Sequence, residues 1–346
     1  MKPPFIPAMA LVLACGTALA TPVPEAVAHF GAAEPARRLL IRSTTDIAAF
    51  APVLELFART EPGLGIDYEQ WASNDLYERA AQACAERKDA ADLLISSSVD
   101  QLVKLVNDGC AQVHRSEATA ALPAGLNWRD EIFGITREPA VIVYNRTFVP
   151  PAEAPQTRLD LIDLLRPAES RYVGRVATYD IEASGLGYLF AFVDSQQATT
   201  FGSLLEAFGR SGAIATCCSA EIIDGVADGS FVMAYNVLGS YALSRAAQNP
   251  DLAVVAPQDY TLVLSRAAMI PKDAANPQDG TALVDFLLSA PGRVALQDSN
   301  LIIETLADED DLVVRQIPLS PVLLLGLDRE KRARFLDRWH ATFPPG

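Results

Sequence analysis

Apolar and polar positions alternate along the chain in two periods. The runs RLLIRST, GIDYEQW, ADLLISSS and RVATYD are short, apolar and bounded by polar residues, as buried strands are. Between them, TTDIAAFAPVLELFART sets Phe50, Val53, Leu54 and Phe57 on one helical face, and SNDLYERAAQACAERKDA and VDQLVKLVNDG read as further helices. Strands alternating with helices predict an α/β fold whose mainly parallel sheets are covered on both faces. EIFGITREPAVIVYNRTF reads as an extended crossover, and DLAVVAPQDYTLVLSRAAMIP as the return. The chain thus passes twice between two lobes, predicted at 37–136 with 262–346 and at 137–261. TALVDFLLSAPGRVALQ should complete the first lobe, and PLSPVLLLGLDREKRARFLDRW should form a last amphipathic helix with a solvated basic face.

In such sheets ligands bind beyond the carboxyl ends of the strands, and small hydroxyls collect there. RLLIRST ends at Ser43 and Thr44 and leads into Thr45, while ADLLISSS ends at Ser97 and Ser98. RVATYD is followed by Ser184 and Gly185 at the mouth of a helix, and MAYNVLGSYALSRA runs from strand into helix with Ser240 at the junction. Any one such hydroxyl is explained as an N-cap, and Ser98 with Gln101 is spaced as a capping box. Four such junctions, two per half, predict a cleft between the lobes. Tyr235, Asn236 and Ser240 are expected to form its second wall, opposite Ser43, Thr44 and Ser97, with Tyr260 carried on the return crossover. Of the two tyrosines, Tyr241, already inside its helix, is given to packing more readily than Tyr235.

A length of 346 residues, half of them hydrophobic, favours two domains. The net charge of −15 would repel nucleic acid and anionic lipid. Lys2, the apolar AMALVLACGTALA and the pair Ala18 and Ala20 predict a signal peptide over residues 1–20, too short to span a bilayer. Lipidation at Cys15 is the alternative. Residues 21–36, rich in proline and alanine, read as a tether. Export to the periplasm permits disulfides, and Cys84 and Cys110, on neighbouring helical segments, are the expected pair. Adjacent Cys217 and Cys218 are either two thiols or a vicinal disulfide. With no C-x-x-C, no Cys/His cluster, no H-E-x-x-H, no G-x-S-x-G and three scattered histidines, the sequence predicts no metal, no cofactor and no enzyme.

From Arg37 to Leu301 the chain resembles extracytoplasmic solute-binding proteins of ABC importers, in the type 2 periplasmic-binding branch that includes ferric-ion, phosphoglycerate and sugar-phosphate binders. The resemblance rests on DLLISSSVDQLVKLVNDG, REPAVIVYNRTF, YDIEASGLGYLFA, DGSFVMAYNVLGSYAL and PQDYTLVLSRAAMIPKDAANPQDGTALVDFLLSAPGRVAL, in that order. It implies a monomer of two lobes joined by two crossover strands, with the AYNVLGSYA segment lining the cleft and a small-molecule solute delivered to a permease. Ferric binders of this branch carry an adjacent tyrosine pair, whereas Asn236 follows Tyr235 here. A small anionic solute is therefore expected, held by the hydroxyls and Arg137; a ferric binder, or a signalling subunit for a membrane sensor kinase, is the alternative.

Overall fold

The computed structural model describes residues 22–343 except 168, 198 and 305–312. The predicted signal peptide and Cys15 lie outside the described residues. The first lobe begins with β1 (Ala26–Gly31), β2 (Arg37–Ser43), β3 (Leu64–Gln70) and β4 (Leu93–Ser96). Between them run α1 (Ile47–Thr60), α2 (Ser73–Glu86) and α3 (Val99–Asn107). Helix α1 buries Phe50, Val53, Leu54 and Phe57 against Leu39, Ile41 and Ile66 of the sheet, and each such side chain contributes about 1.5–3 kcal/mol of transfer free energy. The predicted capping box is not formed, because the Ser98 side chain makes no cap bond. After the short α4 (Glu117–Ala120) come β5 (Asn127–Trp128) and β6 (Ile132–Gly134).

The chain then crosses into β7 (Glu138–Asn145), the centre of the second sheet. That lobe continues through α5 (Arg158–Leu165), β8 (Val176–Tyr179), α6 (Gly185–Gln197), α7 (Phe201–Ser211), β9 (Ile214–Thr216) and α8 (Ser219–Asp228). β10 (Met233–Leu238), α9 (Gly239–Ala246), β11 (Leu252–Val255) and β12 (Thr261–Leu264) complete the outward passage. The return puts β13 (Ala267–Met269), α10 (Pro277–Leu288) and α11 (Ala290–Asp298) on the first lobe. The first sheet has the order β1-β3-β2-β4-β13-β6-β5. The second has the order β14-β12-β7-β10-β8-β9, with β11 also on β7, where β14 is Val314–Gln316.

Three boundaries differ from the sequence reading. β1 lies inside the predicted tether and pairs antiparallel with β3 from Ala26 to Gly31. The second lobe reaches Leu264, because β12 pairs with β7. The chain beyond 312 joins the second lobe as β14, α12 (Leu324–Leu327) and α13 (Arg329–His340). Trp339, Phe335 and Phe343 pack there with Phe201, Phe208 and Tyr235, so the predicted single amphipathic helix is divided and its apolar side is spent on that core. Cys84 and Cys110 form a disulfide with Cα atoms 5.5 Å apart, tying α2 to the end of α3.

Candidate functional site

A cavity of about 280 Å³ lies between the lobes. Its first wall is made by the ends of β2, β3 and β4. Thr44 Oγ1 accepts from the Ser97 backbone N–H at 3.0 Å and lies 3.2 Å from Ser97 Oγ, so the two hydroxyls are fixed as a pair. Ser184, Tyr179 and Ser219 stand on the second wall, where the Tyr179 and Ser219 hydroxyls share a hydrogen bond. Ser184 Oγ caps α6 by accepting from Gly187 N at 3.0 Å.

Arg266, at the return crossover, lies at the cavity although its side chain is 1% exposed. Its Nε donates to Glu138 Oε1 at 2.8 Å, Nη2 to Oε2 at 3.2 Å, and Nη1 to Thr45 Oγ1 at 3.1 Å and the Thr44 carbonyl at 3.4 Å. Glu138 stands at the outgoing crossover and also accepts from the Thr136 and Ser240 hydroxyls. One ion pair therefore joins the two passages of chain between the lobes. Burial opposes the guanidinium charge, but Glu138 beside it prevails and holds Arg266 above its ordinary value. Removing one partner of such a pair leaves an uncompensated buried charge, a loss of roughly 3–5 kcal/mol.

Tyr241 closes the cavity beside Arg266, its ring 5.6 Å from the guanidinium carbon and its hydroxyl accepting from Asp46 N at 3.3 Å. Burial pushes its phenol up to about 12, against the pull of Arg266. Burial also raises Tyr179, and both phenols stay protonated donors at neutral pH. Asp46, raised by burial, and the more open Glu25 and Glu221 supply acceptors around the same cavity. A larger space of about 510 Å³, lined by Ala49, Ser240, Ser244, Arg245 and Asn300, adjoins it beyond Asp46 and Tyr241.

The lobes touch beside both spaces. Gly185 N donates to Ser73 Oγ at 2.9 Å, Asn74 Nδ2 donates to the Glu182 carbonyl at 2.8 Å, and Asn300 Nδ2 to Ser244 Oγ at 3.1 Å. This is a closed arrangement.

Of the residues predicted from sequence, Thr44, Ser97 and Ser184 line the smaller cavity and Ser240 the larger one. The rest stand off both. Ser43 accepts from Thr45 N, and Thr45 braces Arg266, so these two support the wall from behind. Gly185 spends its N–H on Ser73 and is a contact between lobes. Arg137 donates to the carbonyls of Ile303 and Glu304, so the expected cleft arginine is Arg266 instead. Asn236, with φ 65°, sits in a bulge of β10 against β7. Tyr235 and Tyr260 both donate to Asp194, beneath Arg158, whose guanidinium lies 3.6 Å from the Tyr260 ring centre. The buried Arg158 and Asp194 need those partners, and the phenols are thereby drawn into the interior of the second lobe.

Sequence reasoning missed Arg266, Tyr179 and Ser219, and gave Tyr241 to packing more readily than Tyr235. One signal was present for the first: Ser265–Arg266 interrupts the apolar run from TLVL to AAM, and a charge there must be paired or aimed at a ligand.

A sequence model of a family described as bacterial extracellular solute-binding protein matches residues 11–299. Among solved structures, the chain is similar to the substrate binding protein of an ABC transporter from Agrobacterium tumefaciens. Identity is 34% over 93% of this chain and 99% of that one, with a TM-score of 0.85. Iron-bound HitA from Pseudomonas aeruginosa has the same fold at 15% identity and TM-score 0.66, over 88% of this chain and 99% of that one. AfuA from Actinobacillus pleuropneumoniae, solved with fructose-6-phosphate bound, does so at 16% identity and TM-score 0.66, over 90% and 100%. None of the curated proteins matches the sequence.

Proposed function

Since the chain belongs to the bacterial extracellular solute-binding proteins, we propose that it captures a small carboxylate- or phosphate-bearing solute between its lobes for delivery to an ABC permease. The observation that carries this reading is Arg266 at a cavity ringed by the hydroxyls of Thr44, Ser97, Tyr179, Ser219 and Tyr241. Four of the five guanidinium N–H donors have partners among the described residues, which leaves one on Nη2 for a ligand oxygen. A charge-assisted bond of that kind is about twice as strong as a neutral one. The carboxylates of Asp46, Glu25 and Glu221 favour a solute whose remaining groups are hydroxyl or ammonium donors.

A bare ferric ion in the same cavity would stand against the Arg266 guanidinium, the group that the organic-anion reading uses. Mass spectrometry of small molecules released from protein purified without refolding, followed by calorimetry with the compound found, tests the reading. A stoichiometric organic anion is expected. Release of a neutral sugar, an organic cation or iron overturns the anion assignment and leaves the family untouched.

A further inference from the structure

Where α8 begins on the second wall of the cavity, Cys217 and Cys218 are joined in a disulfide between adjacent residues. Cys218 lines the cavity. Their two sulfurs and a carboxylate oxygen of Glu221 all lie within 4.8 Å of one another. The carboxylate is steadied by the Thr216 hydroxyl, which donates to Glu221 Oε1 at 3.0 Å. In the disulfide form neither sulfur is a useful ligand. Once the S–S bond opens, two soft donors and one hard donor stand within reach of a single ion, and the cavity gives that ion a path from solvent.

We propose that the reduced Cys217–Cys218 pair and Glu221 form a site for a soft divalent cation of the zinc and cadmium class, which the disulfide closes. Two sulfur donors exclude magnesium and calcium, and three protein ligands leave a position open towards the cavity. The opening step balances with a dithiol as reductant: it gives two electrons and two protons to the chain's disulfide and becomes a disulfide itself. Cation binding then displaces a proton from each thiol to solvent. The position at the start of a ten-residue helix favours the thiolates. The site is separate from Arg266 and stands whatever solute the cleft takes.

Cadmium is the probe. The full chain is reduced with a water-soluble phosphine, which takes up water oxygen as it yields the two thiols, is desalted without air, and is titrated while the thiolate-to-cadmium ultraviolet band is followed. One cadmium per chain is expected for the reduced protein and none for the oxidised protein. Cys217→Ser, which keeps Cys84 and Cys110, should lose the band, and Glu221→Gln, on an exposed residue, should bind at least about tenfold more weakly. An unchanged titration of the folded Cys217→Ser protein assigns the band to the other cysteines and overturns the proposal. So does an unchanged affinity in Glu221→Gln.

Discussion

At the scale of single residues, the cavity discriminates by where it sets charge. Ser184 lines the second wall and caps α6, so Ser184→Asp keeps a competent cap while placing a carboxylate against an anionic ligand. We expect the fold to persist and the anion recovered with the protein to bind about 100-fold more weakly or worse, a loss of several kcal/mol, by calorimetry. Parent-like affinity in the folded variant removes Ser184 from the site. Single residues were also where the sequence was least legible. Hydroxyls at strand ends could be found because their place follows from topology, and Thr44, Ser97 and Ser184 do line the cavity. The two tyrosines of AYNVLGSY could not be sorted, since their direction depends on the bulge at Asn236 and on the pull of Arg158 and Asp194, forty to eighty positions away.

At the scale of elements, the lobes meet closely at the start of α6. A Cβ on Gly185 would come within 2.7 Å of Gln101 Nε2, 2.8 Å of Ser98 Oγ and 3.0 Å of Asn74 Oδ1, all from the first lobe. Gly185→Ala therefore separates two effects. Helix propensity improves by up to about 1 kcal/mol, while closure meets a side chain where there was none. The expected result is a protein at least as stable to urea as the parent but with a larger radius of gyration in X-ray scattering. An unchanged radius would mean that the three side chains simply move aside. Helices α1 and α2 were legible because each buries apolar residues at helical spacing, and strands β2, β4 and β8 because each centres on a short buried run. β1 was not: its residues alternate between half-buried and exposed, and such a strand, paired along one side alone, leaves no apolar run to read.

At the scale of the whole molecule, the lobes also meet on the far side of α3. Asp100 there is 2% exposed beside Tyr188, Leu189 and Leu323, with Oδ1 unpaired among the described residues. Burial lifts its carboxyl to about 7, although the backbone N–H groups at its own position and Gln101, and then Arg332, pull it back. The folded chain thus keeps a proton that the unfolded chain gives up near 4. The resulting stability is full below the unfolded value and is lost as pH rises through about 7, by a few kcal/mol. Asp100→Asn should remove that slope, so its advantage over the parent in urea midpoint should grow between about pH 4.5 and about pH 8.5. Midpoints that shift in parallel would acquit this carboxyl.

The short strand β14 stands at one edge of the second sheet. It pairs in parallel with β12 from Thr261 to Val263, and its own three residues, Val314, Arg315 and Gln316, are exposed. β12 is apolar and wholly buried. Stripped of its neighbour, it would present an open row of N–H and C=O groups beside Leu262 and Leu264, a template on which another chain could add a strand. A three-residue border bearing an arginine is a poor template. The cavity is complete by Leu301, and the chain beyond 312, besides packing into the second-lobe core, sets this poor template over the flank of β12.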